Sequence, residues 1–367
     1  MAGVLESPAQ NEVSTYEASL DEQIFDFIRA AYPARREDWI EPRWRWMFVG
    51  SARRLGVRPV VWLSWKGTSI SGHHGSIPVR LKVGNEEIAT RWLVETMILE
   101  SSRGQGLGPK LLARSMEDEP FCLSLGQTPH MRGIQLKLGW RQVAALGTYV
   151  YVLDATRLLA GKLGGSLPRG VAAAGLGLLQ RARYARGRRR LPWRPTVHEI
   201  DRFDERHDRL WAAVRDDYGC AVVRDASYLN WKYVEQPGQD FIRLEVRHAD
   251  AVVAVAILRI VEPDEHYRYR RGLLVDLVVR SSDLDAAWAA LEAVRRACLD
   301  RAVDLLVFYL TGEELAQRAK SFGFVAREPL RVLLLWTEGA SDGVRAQVLE
   351  GRNWLVTGGD SDIDRPW

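Results

Sequence analysis

The stretch "ESSRGQGLGPKLLARSM", Glu100 to Met116, decides the fold. It follows the apolar run "LVETMIL" (93–99) and leads into a segment whose apolar residues recur every three to four positions, so it reads as strand, bare turn and amphipathic helix. Gly104, Gly106 and Gly108 carry no Cβ to keep a ligand away, and Pro109 in the first helical turn forfeits no hydrogen bond. A helix start offers unpaired N–H groups and the positive end of the dipole. With Arg103 and Lys110 beside it, the turn suits a diphosphate. The spacing matches neither the dinucleotide G-x-G-x-x-G nor the P-loop G-x-x-x-x-G-K-[ST].

Outward from this turn, the chain repeats its plan. The first half runs "RWRWMFVG", "VRPVVWLSWKG", "SGHHGSIPVRLKVG", "RWLVETMIL", the glycine turn, a helix, "FCLSLG" and "IQLKLGW". The second runs "YLNWKYVEQPG", "FIRLEVRHADAVVAVAILRI", "GLLVDLVV", the helix "LDAAWAALEAVRRACLD", "VDLLVFYL" and "AQRAKSFGF". Trp46 lies 93 positions before Gly139, and Trp231 lies 92 before Gly323. Period-two strands followed by strand, helix, strand predict a mixed α+β fold. Each half is expected to be a twisted, mostly antiparallel sheet with one parallel β-α-β step and flanking helices, with its ligand at the carboxyl end of the first parallel strand. The expected division is 1–157, a basic linker 158–196, a second domain 197–340 and a tail 341–367.

The pattern Arg103-x-x-Gly106-x-Gly108 after an amphipathic sheet, with Leu138-Gly139-Trp140 downstream, resembles the GNAT superfamily of acetyl-CoA-dependent N-acyltransferases. The resemblance covers about 20–154 with its motif and about 200–337 without it. There the sequence reads "VVRSSDLDAAW", and Ser281, Ser282 and Asp283 make a helix cap rather than an anion cradle. The expectation is two tandem GNAT-like domains with one cofactor site. The resemblance implies acetyl-CoA as co-substrate, held by Arg103, Gly104, Gln105, Gly106, Leu107, Gly108, Pro109 and Lys110. It also implies that the backbone of Met97, Ile98 and Leu99 binds pantetheine opposite "FCLSLG". An amine attacks the thioester, and the enzyme orients the reactants, takes a proton and stabilises the oxyanion.

Candidate bases face that slot. Glu95 shares a face with Met97, where a half-buried carboxylate suits proton abstraction. His73 and His74 are a strand pair near the right range for proton transfer, or else simply a hydrogen-bonded pair. The superfamily's thiolate-protonating tyrosine falls on Gln135 here and on Ala319 in the second half; His130 is the substitute candidate. Most tryptophans, of which there are 14, read as core or packing between the halves, with an aromatic acceptor cleft as the other reading.

The composition, 47% hydrophobic and 27% charged, is that of a globular chain. Cys122, Cys220 and Cys298 lack metal or disulfide spacing, and no metal is expected. The first residues lack a basic segment followed by an apolar one, so a cytoplasmic address is expected. Much of the basic excess sits in "LLQRARYARGRRRLPWRP". It reads as a solvated linker helix, with Arg181 to Arg194 available to an anionic membrane face or a phosphorylated polymer; no specific nucleic acid is expected. The leading reading is a bacterial acyltransferase acting on an amine, on a small molecule or a glycan or cell-envelope precursor, the last because "YLNWKY" before a Pro-Gly turn is similar to segments of GNAT-like envelope-biosynthesis proteins. The alternatives are a Fem-type aminoacyltransferase using aminoacyl-tRNA, which the glycine turn disfavours, and a non-catalytic CoA-binding scaffold.

Overall fold

The structure is a computed structural model that describes residues 12–159 and 166–363. Its strands are β1 (Val13–Thr15), β2 (Val61–Lys66), β3 (Ser69–Val83), β4 (Glu86–Ile98), β5 (Cys122–Leu125), β6 (Arg141–Val152) and β7 (Thr196–Glu199), then β8 (Cys220–Val222), β9 (Phe241–His248), β10 (Ala251–Val261), β11 (Arg271–Val279), β12 (Leu305–Leu310), β13 (Val325–Trp336) and β14 (Trp354–Leu355). They form one mixed sheet in the order β1-β2-β3-β4-β5-β13-β6-β12-β11-β10-β9-β7, with β8 bridging β3 and β14. The expected mixed α/β class is what the chain adopts. The parallel steps are β4 with β5 and β11 with β12. Their crossovers contain the helices Leu107–Asp118 and Leu284–Asp300.

The halves do not close separate sheets. Strand β13 leaves the second half and pairs with β5, Leu333 opposite Leu125 and Trp336 opposite Cys122. Reciprocally, β6 leaves the first half and pairs with β12, Leu305 opposite Val152 and Leu310 opposite Gly147. Each half thus completes the other, and β6 and β13 pair with one another at the centre. The repeated tryptophans also meet across the two halves. Trp46 and Trp231 stack with centroids 5.0 Å apart, and each indole N–H donates to the other's carbonyl, at 2.7 and 3.1 Å. That reciprocity is the signature of a local two-fold relation.

The glycine-turn helix buries Leu107, Leu111, Leu112 and Ser115, one face of a 3.6-residue period. Leu111 and Leu112 pack with Trp62, Leu93, Cys122, Trp140 and Leu334, the last supplied by the exchanged strand β13. A second helix, Ser166–Gly187, occupies the segment between the halves. No helix among the described residues is long and apolar enough to cross a membrane.

Candidate acyl-CoA site

Strands β4 and β5 pair only where Arg91 and Trp92 meet Cys122 and Leu123. Beyond that the pairing ends, so among the described residues the backbone of β4 from Val94 onward has no strand partner on its β5 side. On its other side β4 pairs with β3, but the register slips between His73–Met97 and Gly75–Val94. This bulge places Glu95 at φ +49°, a left-handed conformation that costs a non-glycine residue about 1–2 kcal/mol. Such a distortion re-aims a side chain at the strand end where the pairing with β5 has ended.

The turn follows directly. Gly104 and Gly106 have φ of +78° and +75°, and Gly106 caps the helix with no side chain accepting from its first amides. A Cβ built on Gly104, Gly106 or Gly108 would meet no atom within 4 Å. The glycines therefore border open space, as a cradle for backbone-bound oxygens requires. Arg103 and Lys110 are exposed beside it. The residues present thus fit a nucleotide diphosphate.

The second half shows what closes such a site. Its helix start is capped by Asp283, which accepts from the amides of Asp285 and Ala286. Strands β11 and β12 pair from Arg271–Leu305 to Leu274–Phe308. The gap beyond is filled by the chain's C-terminal segment: Leu310 bridges Thr357, the Thr311 amide donates to the Val356 carbonyl at 2.8 Å, and Gly358 donates to Tyr309 at 3.1 Å. Arg224 ties this segment down, 3.0 Å from Asp276 and 2.7 Å from Asp360, while Tyr233 and Thr357 donate to Asp276. All of these groups are buried.

The nominated proton-transfer residues fall into different environments. His73 is fully buried; Trp44 Nε1 donates to its Nε2 at 3.2 Å, so its Nδ1 carries the proton and donates to the Glu95 carbonyl at 3.0 Å. Burial lowers its pKa, and both ring nitrogens are committed to holding the bulge. His74 lies on the opposite face against Trp62, with Nδ1 2.8 Å from Thr96 Oγ1. Burial pushes its pKa down to about 3. The Glu95 carboxylate is buried and ion-paired to Arg35, with Nη2 to Oε1 at 3.2 Å. His130 is exposed in the first turn of the helix Pro129–Lys137, which Thr128 caps. Gln135 is buried, and its Oε1 has no hydrogen-bond partner among the described residues.

Arg35 is the residue the sequence reading missed. Its counterpart is Arg224, and both pairs share a pattern. Leu93-Val94-Glu95 and Leu274-Val275-Asp276 place an acid after Leu-Val, while Arg35 and Arg224 each stand four positions before an aromatic-aliphatic pair, Trp39-Ile40 and Tyr228-Leu229.

No protein-family model matches this sequence, and no curated protein matches it detectably. Solved structures match the fold. A GCN5-related N-acetyltransferase from Anabaena variabilis superposes with a TM-score of 0.60 at 10% identity, over 89% of this chain and 72% of that one. A probable N-acyltransferase from Enterococcus faecalis gives 0.57 at 10%, over 89% and 72%. Saccharomyces cerevisiae N-myristoyltransferase with bound myristoyl-CoA gives 0.56 at 13%, over 91% and 84%. The fold is therefore of the GCN5-related kind.

Proposed function

We propose that this chain is an N-acyltransferase of tandem GNAT architecture that takes acetyl-CoA in its first half and acylates an amine. One contrast carries the reading: the glycine-lined helix start beside β4 is uncapped and open, whereas its counterpart is capped by Asp283 and its gap filled by Thr357 to Asp360. A CoA thioester would supply the activated acyl group. The amides of the turn grip the diphosphate, Arg103 and Lys110 add charge, and the unpartnered edge of Met97, Ile98 and Leu99 aligns pantetheine. Glu95, aimed by the bulge and oriented by Arg35, receives the amine proton. His73 positions that carboxylate's backbone, and His74 stays neutral in the core. Gln135 has no proton to give a thiolate, so CoA leaves as the anion or is protonated through His130. The acceptor is an amine on a small molecule or on a glycan or envelope precursor.

The competing reading, a chain that holds CoA without turnover, draws on Gln135 at the tyrosine position. Calorimetry with CoA and with acyl-CoAs of increasing length, followed by thiol release against an amine panel, decides between them. Binding with amine-dependent thiol release supports transfer, binding alone supports the scaffold, and no binding removes both. Loss of turnover with retained binding in Glu95→Gln identifies the base, and in His130→Ala the acid.

A further inference from the structure

The helix Ser166–Gly187 packs on the body of the protein and on the short helix Ala155–Leu158. Gln180 donates to the Gly323 carbonyl at 3.1 Å, the Tyr184 hydroxyl donates to Glu292 at 3.0 Å, and Gly187 lies so close to the Ser321 carbonyl that a Cβ would overlap it. Gly177 lies on this inner side too, and with Ala174, Leu178 and Arg181 it lines a cavity of about 1160 Å³ between the helix and the amino end of β12. The side away from these anchors carries Val171 and Leu179, 72% and 48% exposed, with Leu178, 64% exposed, at the cavity's mouth. Among the described residues no other large apolar side chain is as exposed as these three. Ala182 and Ala185 extend the same exposed surface, flanked by exposed Arg186, while exposed Arg181 borders the cavity.

Charge on this segment is wholly of one sign. Residues 155–198 hold ten arginines and lysines and no aspartate or glutamate, so the other 41 basic residues of the chain are outnumbered by its 47 acids. Arg189 is paired with Asp285 at 2.8 Å. Arg181, Arg186, Arg188, Arg190 and Arg194 are exposed and make no ion pair among the described residues. Of the acids beside the helix, Glu292 is paired with Arg295 and Arg296 and Asp304 with Arg157, while Asp154 accepts from the Thr156 amide.

From this juxtaposition we propose that the outer face of the helix Ser166–Gly187 docks on an anionic lipid bilayer, lying in the plane of the surface. Val171, Leu178 and Leu179 enter the headgroup boundary, and the arginines meet lipid phosphates. A nucleic-acid surface would use the arginines but gain nothing from water-exposed leucine and valine beside them. The inference holds whether or not the chain transfers acyl groups.

Co-sedimentation of the full chain with vesicles of phosphatidylcholine and phosphatidylglycerol in equal parts, against phosphatidylcholine alone, tests it. Binding to the anionic vesicles only, weakening with salt, is the expected result. Leu178→Asp should lower the partition about tenfold, and each of Arg186→Gln and Arg190→Gln about fivefold. These side chains face water, so the melting temperature should not change. Equal binding to both vesicles, or Leu178→Asp partitioning as the parent does, overturns the proposal. So does duplex DNA binding without vesicle binding, or a concentration-dependent dimer that Leu178→Asp abolishes.

Discussion

Gly108→Ala and Gly106→Ala separate a ligand cradle from a mere turn, because they push stability in opposite directions and affinity in the same one. Gly108 is the second residue of the helix Leu107–Asp118, its φ is not positive, and a Cβ there meets nothing within 4 Å. Replacing a helical glycine by alanine gains up to about 0.5–1 kcal/mol. Gly106 sits at φ +75°, where a Cβ costs about 1–2 kcal/mol. Both methyl groups would stand in the open space a diphosphate would occupy. Each charge-assisted hydrogen bond lost there is worth about 1.5–3 kcal/mol, so CoA affinity should fall roughly ten- to a hundredfold in either variant. Denaturant titration measures the first quantity and calorimetry with CoA the second. A Gly108→Ala protein at least as stable as the parent and equally tight for CoA would refute the cradle.

Further outcomes follow from the buried groups. His74 has its pKa depressed to about 3 against an ordinary 6.5, so the unfolded chain binds the extra proton between those values and stability is lost as pH falls below the higher one. At about pH 5 the loss from His74 is about 2 kcal/mol. Urea midpoints at pH 7.5 and 5 check this, and an unchanged midpoint would exclude it. Arg224→Met leaves Asp276 and Asp360 buried without their cation, which should cost about 3–5 kcal/mol while leaving CoA affinity intact. Denaturation and calorimetry on one preparation read both. Burial pushes Cys220 and Cys298 up to about 12 and Cys122 higher still. Native protein should resist thiol alkylation at pH 8, and urea should release three reactive thiols; labelling without denaturant would contradict this.

Local chemistry made much of the fold legible. The glycine turn, the amphipathic helix after it and the Asp283 cap follow from side-chain size and the unpaired groups at a helix start. The exchange of β6 and β13 does not, because the alternation of a strand says which face is apolar and nothing about whose edge it meets. The candidate site divides the same way. The turn was visible, but Arg35 reaches Glu95 across 60 positions of sequence, and the histidines look poised for chemistry until both faces of β3 are found covered. The closing segment, expected only as part of a tail 341–367, holds Thr357 and Asp360 buried because Arg224 and its neighbours supply the hydrogen bonds that water would.

The strand exchange constrains how this chain can be made. As the ribosome releases the first half, the outer edge of β5 stays bare until Val325–Trp336 has been synthesised, some two hundred residues later. That edge is a template for stray pairing, so a nascent or truncated first half invites aggregation unless something shields it. Contacts spanning so much sequence also slow folding. Cutting between the halves would therefore yield two incomplete sheets that need each other's strands to recover the native state.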